Sequence, residues 1–207
     1  MTSRFITLEG SEGAGKSTNL DTVCETLEQH GIDVYRTREP GGTPVAEAVR
    51  EIMLAQWDER LSGLSELLLV FAARNQHVES VIRPKLQAGT WVVCDRFTDA
   101  TFAYQGYGRG LELEQIETLE NWVQGDLQPD LTLYLDVPNE LSLARIASRP
   151  KDRLEQENST FFDAVRAGYL ARAAELPRFV TIDASRELPD VQQSVRESIT
   201  DFLARSN

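Results

Sequence analysis

The sequence predicts an α/β fold, a five-stranded parallel sheet with helices on both faces. Three observations carry this reading. Five short apolar runs alternate with helix-patterned stretches along the 207 residues, the order that yields parallel strands joined by crossover helices. A glycine-rich loop stands at the first strand-to-helix junction. The third apolar run ends in a carboxylate, at the edge where open α/β sheets bind ligands. A single domain spanning residues 1–207 accommodates the whole pattern.

The first strand is Phe5, Ile6 and Leu8, and it ends at Gly10. Gly10-Ser11-Glu12-Gly13-Ala14-Gly15-Lys16-Ser17 then places two glycines around four residues, followed by Lys and Ser, which is the P-loop signature. Glycines allow several backbone N–H groups to converge on phosphate oxygens. The helix starting near Gly15 adds its positive end. Gly10 through Thr18 are thus the expected ATP cradle, with Lys16 reaching the β- and γ-phosphates and Ser17 ligating magnesium. Loop and setting together specify a three-layer P-loop NTPase fold.

The helix after the loop runs to about residue 30, with Leu20, Val23, Cys24 and Leu27 on one face and Gly31 as its stop. A strand at 32–37 leads into Thr37-Arg38-Glu39-Pro40-Gly41-Gly42-Thr43, which local chemistry alone reads equally as a ligand edge or a solvated turn. Helices are expected at 44–55 and 63–88. Within the second, Phe71 and Arg74 lie one turn apart. Local chemistry favours a core Phe71 and a surface Arg74; the functional alternative is a pair that stacks on and hydrogen-bonds a base. His77 reads as structural.

The strand at 91–95 ends in Asp95, placed to orient magnesium or its water, and Arg96 follows directly. Residues 98–110 are polar, aromatic and glycine-rich, and they gather Thr101, Tyr104, Gln105 and Arg109. After a helix at 112–125, the strand at 131–137 carries Asp136, read as a structural carboxylate. A helix from Asn139 runs into Arg145, Arg149, Pro150, Lys151 and Arg153, a basic lid over about 145–156 that suits closure on a polyphosphate. A helix at 158–175, a strand at 179–182 and a helix at about 189–203 complete the chain.

The net charge of −12 argues against general nucleic-acid binding, so an anionic substrate requires arginines gathered in one cleft. No apolar run approaches the roughly 20 residues of a membrane span, and the first residues lack a signal-peptide pattern. A cytoplasmic protein is expected. Cys24 and Cys94 read as small buried hydrophobes, without metal-ligand spacing.

The P-loop, the 37–43 turn, Phe71-Ala72-Ala73-Arg74, Asp95-Arg96-Phe97, Ala103-Tyr104-Gln105-Gly106 and Asp152-Arg153-Leu154-Glu155 together resemble the bacterial thymidylate kinases over nearly the whole chain. The turn and the Asp-Arg pair are the most selective of these. The resemblance implies an ATP:dTMP phosphotransferase that uses magnesium, makes dTDP for dTTP biosynthesis and works as a homodimer. It implies that Arg96 holds the acceptor phosphate, with Arg38 nearby, and that Arg74 meets the thymine carbonyl edge. Thr101 and Gln105 would lie near the base, Phe71 against it, Tyr104 at the sugar 2′ position and Glu12 near the 3′-hydroxyl or the acceptor. The family's stacking aromatic commonly falls four residues before the arginine, where this chain has Val70; Phe71 falls three before. Some relatives carry a catalytic arginine in the P-loop, where this chain has Glu12. Besides Lys16, Arg96 and Glu12, the catalytic candidates are therefore the lid residues Arg149 and Arg153. Two rival readings are a P-loop kinase for another nucleoside monophosphate and a GTPase-like regulatory module. The second calls for an Asn-Lys-x-Asp sequence, which is absent.

Overall fold

Five strands, β1 (Phe5–Glu9), β2 (Val34–Arg38), β3 (Trp91–Asp95), β4 (Leu131–Asp136) and β5 (Phe179–Asp183), form one all-parallel sheet in the order β2-β3-β1-β4-β5. The computed structural model describes residues 2–147 and 152–206. The chain travels to one side of β1 for β2 and β3, then to the other for β4 and β5. A crevice therefore opens at the carboxyl end of β1. In register, Asp95 stands beside both Leu8 and Arg38. The P-loop, the third-strand carboxylate and the 37–43 turn consequently leave the sheet at one edge.

Both faces are covered, which is why the central strands read as continuous apolar runs. On one face Ile6, Leu8, Val93 and Leu133 pack with Leu20, Val23 and Leu27 of α1 (Lys16–Gln29) and with Val195 and Ile199 of α9 (Leu188–Ser206). On the other face Phe5, Val92 and Cys94 pack with Val78, Ile82 and Phe97, and Tyr134 with Tyr104, Phe161 and Tyr169.

The remaining helices are α2 (Pro44–Leu54), α3 (Gly63–His77), α4 (Arg83–Gln87), α5 (Thr98–Thr101), α6 (Leu113–Gln124), α7 (Asn139–Ile146) and α8 (Ser159–Glu175). The single helix expected over 63–88 is instead interrupted by a π-helical turn at Val78–Ile82. Pro84 supplies the reason, because it lacks an N–H and its ring collides with the carbonyl four residues back in a regular helix; a wider turn accommodates it. The segment after β3 is also helical, α5 running into a second π-helical turn at Phe102–Gly108. Packing on α8 overrides its weak helix propensity. A Cβ on Gly108 would come within 2.6 Å of the Phe161 ring, so only a glycine permits that contact. Asp136 accepts two bonds from Arg166, at 2.7 and 2.8 Å, as a structural carboxylate would.

Candidate active site

The P-loop is pressed against the start of α7. Gly13 has φ 76°, and a Cβ there would sit 2.4 Å from the Ser142 carbonyl oxygen, so no larger residue fits. The Ser142 hydroxyl donates to the Glu12 carbonyl and thereby fixes the loop from outside. Inside it, the nearly buried Lys16 ammonium donates to the carbonyls of Gly10 (3.1 Å) and Ser11 (2.9 Å). Burial, and then the nearby Arg96, make Lys16 release its proton more readily than an ordinary lysine. Ala14 is buried, while Ser17 and Thr18 are exposed at the first turn of α1.

Ser17 and Asp95 line one open cavity of about 790 Å³, together with Thr37, Arg38 and Glu47. Asp95 Oδ1 is buried without a hydrogen-bond partner. A hydroxyl and an unused carboxylate oxygen are the hard donors that magnesium takes, usually alongside substrate phosphates, so the residues fit that ion. Among the described residues no three His, Cys, Asp or Glu side chains gather to hold a metal by themselves.

A second cavity, about 560 Å³ including its open mouth, lies beyond the loop and is lined by Glu12, Arg50, Val70, Arg74, Arg96, Thr101, Tyr104 and Gln105 among others. Arg96 stands where the two cavities approach each other. Its backbone is left-handed, φ 68°, alone among the described non-glycine residues. Neighbouring bonds maintain that conformation: Arg96 N–H donates to the Leu8 carbonyl at 2.9 Å, and Phe97 N–H to Glu9 Oε1 at 2.8 Å. The guanidinium donates to Glu12 (2.5 Å), the Tyr104 hydroxyl (2.9 Å) and the Gly10 carbonyl (3.3 Å). Burial works against its charge, yet Glu12 and its other neighbours hold the proton well above the usual arginine range. Glu9 is fully buried, and desolvation, with Asp99 second, pushes its carboxyl up to about 8.

Arg74 closes the other end of this cavity. Its Nε donates to Glu39 Oε2 at 2.8 Å, and its Nη2 to Thr101 Oγ1 (2.9 Å) and the Phe97 carbonyl (3.0 Å). Nη1 is buried without a partner. Glu39 Oε1 meets His77 Nδ1 at 3.0 Å, and His77 Nε2 meets the Thr37 hydroxyl at 2.7 Å. The 37–43 turn is thus a support for Arg74, and the structural reading of His77 agrees with its place in the chain of bonds. Gly42, φ 85°, is required there, because a Cβ would lie 2.4 Å from the His77 ring.

Several expected residues stand elsewhere. Phe71 does not line the cavity; its ring is in the core with Leu67, Phe102 and Ile116 and lies 4.9 Å beneath the Arg74 guanidinium. The neighbouring Val70 takes the cavity wall, so a stacking role for Phe71 is not compatible with this placement. Arg38 borders the Ser17–Asp95 cavity, paired with Glu47 at 2.7 Å. Arg153 faces away from the P-loop, donating to Glu66 (2.5 Å) and the Met53 carbonyl (2.8 Å). Arg149 and Lys151 lie outside the described residues. Arg145 bridges the carbonyls of Gly13 (3.3 Å) and Ala184 (3.0 Å).

Arg50 escaped the sequence reading. It donates to the Pro40 carbonyl at 3.1 Å and lines the second cavity with Met53, one turn further along α2. Burial, then Arg38 and Arg96, lower its affinity for a proton. Guanidiniums that disfavour one another across a cleft mark a place for an anion. Its spacing of three from Met53 was the available signal. Glu9 and Glu66, two of the buried acids that orient the site, left none, and Glu39 only its place in the 37–43 turn.

A P-loop at the end of β1 and a separate cavity lined by Arg50, Arg74 and Arg96, reached across Arg96, are the arrangement of a P-loop kinase of small molecules. Comparison with known proteins narrows the class. A profile of the family described as "Thymidylate kinase" matches residues 8–195. Curated thymidylate kinases are similar throughout: one from Pseudomonas fluorescens SBW25 is 56% identical over 100% of this chain and 99% of its own length. Others from Pseudomonas putida GB-1 and Chromohalobacter salexigens are each 58% identical, with 99% and 97% of both chains covered. The chain belongs to the thymidylate kinase family, and it is an enzyme.

Proposed function

We propose that this thymidylate kinase seats ATP on the 10–18 cradle and dTMP in the Arg96–Arg74 cavity, and that the γ-phosphoryl group passes in line between them. The family's reaction, phosphorylation of dTMP to dTDP by ATP, is the function of the chain. The observation that carries the residue assignment is the shape of the acceptor cavity: cationic at the P-loop end through Arg96 and Arg50, with the unpartnered Nη1 of Arg74 at the other. A phosphate fits the first end and a pyrimidine carbonyl the second.

The acceptor phosphate is already ionised, so the reaction needs alignment and charge neutralisation more than a strong base. Arg96, with Arg50 beside it, holds the acceptor phosphate, and Lys16 holds the donor phosphates. Thr101 and Gln105 border the base, Val70 packs against it, and Tyr104 crowds the sugar 2′ position. Glu12, bonded to Arg96, faces the acceptor. Magnesium, when bound, neutralises donor charge, and Ser17 and Asp95 are the groups that would hold it.

A substrate panel with ATP and magnesium tests the assignment. Turnover of dTMP is expected to exceed that of dCMP, AMP and dGMP by more than tenfold; preference for dCMP or AMP overturns it. The panel also tests the reading as another monophosphate kinase, whereas a GTPase-like module predicts hydrolysis without any acceptor. Arg96→Ala is expected to lower kcat/KM for dTMP about 10²-fold, the size of a lost charge-assisted contact of roughly 3 kcal/mol. KM for ATP stays within about threefold; an unchanged kcat/KM for dTMP removes Arg96 from the acceptor site.

We also place the enzyme in the cytoplasm as a homodimer. Among the described residues no helix is long and apolar enough to cross a membrane. The dimer is assigned to the outer face of α3 and α6, where Leu64, Leu68 and Trp122 are 52%, 51% and 82% exposed and Leu68 and Trp122 border one shallow apolar groove.

A further inference from the structure

Glu66, in the first turn of α3, is fully buried but lines neither cavity of the active site. Its Oε1 accepts from Gln105 Nε2 at 2.7 Å and from Arg109 Nε at 3.3 Å. Its Oε2 accepts from Arg153 Nη2 at 2.5 Å and Arg109 Nη2 at 3.2 Å. Two guanidiniums and an amide thus converge on one carboxylate. Arg109 shares its charge with the half-buried Glu157 at 2.5 Å, so among the described residues the cluster is two cations against two anions.

The partners of Glu66 belong to separate walls of the acceptor cavity. Gln105 is itself a wall residue in the π-helical turn after α5, and Asp152 and Leu154 flank Arg153 on the cavity side. Arg153 also donates from Nε to the Met53 carbonyl, and its backbone N–H reaches the Leu54 carbonyl at 3.3 Å. Met53 and Leu54, with Arg50, are the α2 contribution to the same cavity. Three chain segments far apart in sequence are therefore joined through Glu66 and the Arg153 side chain it holds.

We propose that Glu66 is a positioning residue for the acceptor nucleotide, fastening Gln105 and the Arg153 segment against the end of α2 so that the cavity has one shape. The inference rests on the reading of that cavity as the dTMP site. It predicts an effect mainly on one substrate, because among the described residues no hydrogen bond or ion pair joins this cluster to the 10–18 loop. A residue that merely stabilised the fold would not discriminate between the substrates.

The test is Glu66→Gln, which keeps size and one acceptor but turns a second donor toward Arg153 and Arg109. Steady-state kinetics are measured with each substrate varied in turn. KM for dTMP is expected to rise at least tenfold, with KM for ATP within threefold and kcat lowered less than tenfold. A folded variant whose KM for dTMP stays within twofold of wild type overturns the proposal, as does an equal rise for both substrates. Arg153→Met approaches the same bond from the accessible side and keeps the test available if Glu66→Gln does not fold. It is expected to raise KM for dTMP selectively too. The double variant should be no more than about twofold worse than the poorer single variant, because both changes break one connection. Effects that multiply overturn the coupling. Should wild-type enzyme prefer another monophosphate, the substrate assignment fails; the selective rise in KM, now for that acceptor, still reports on Glu66.

Discussion

Arg149→Ala is expected to reduce kcat about 10³-fold while leaving KM for both nucleotides within a few-fold. An arginine that stabilises transferring phosphoryl charge is worth roughly 10³-fold or more, and this P-loop has Glu12 where some relatives have that arginine. We propose that the source is the basic 145–153 stretch. Of its arginines, Arg145, in the last turn of α7, bridges the Gly13 and Ala184 carbonyls, and Arg153 is held by Glu66 and the Met53 carbonyl. We therefore assign the transition state to Arg149. Arg153→Ala is the matched comparison, with kcat lowered less than tenfold and its main effect on dTMP. Single-turnover rates check the difference directly, because they isolate transfer from product release. A few-fold effect from Arg149→Ala would return the role to another cation.

Lys16→Ala is expected to cost about 10²- to 10³-fold in kcat, the range for removing one preorganised donor aimed at developing charge. The ammonium lies within the loop, tethered to two of its carbonyls, so it is already at the place where phosphate oxygens collect. Its charge is partly destabilised by burial and by Arg96, which favours an anionic partner. Loss of the side chain leaves Ala14, Gly15 and the α1 N-terminus intact, and the variant should melt within a few degrees of wild type. Near-normal kcat would show that the backbone cradle alone suffices.

How much of this was legible in the sequence depended on whether the signal was local. The strands could be read because both sheet faces are covered, and the P-loop because its chemistry fits in eight consecutive residues. The 98–110 segment was given no helix in the sequence reading, because its glycines weaken one; one of them, Gly108, admits Phe161, and α8 supplies the stabilisation from outside. Phe71 and Val70 show a different limit. One residue along α3 turns the side chain by about 100°, enough to exchange a cavity wall for the core, and only the packing of α3 on α6 decides which. Glu9 and Glu66 were invisible because a buried acid is recognised by the cations around it, and those come from distant segments; Glu39 was visible only as part of its turn, without its partners.

The left-handed backbone at Arg96 places the molecule's stability and its chemistry in opposition at one residue. A non-glycine side chain in that conformation costs roughly 1–2 kcal/mol, and a glycine would relieve it. The same exchange would delete the guanidinium to which we assign the acceptor phosphate. On that assignment, selection for a sturdier fold and selection for turnover pull position 96 in different directions. An enzyme evolved only for heat resistance would have reason to abandon the residue we place at the acceptor.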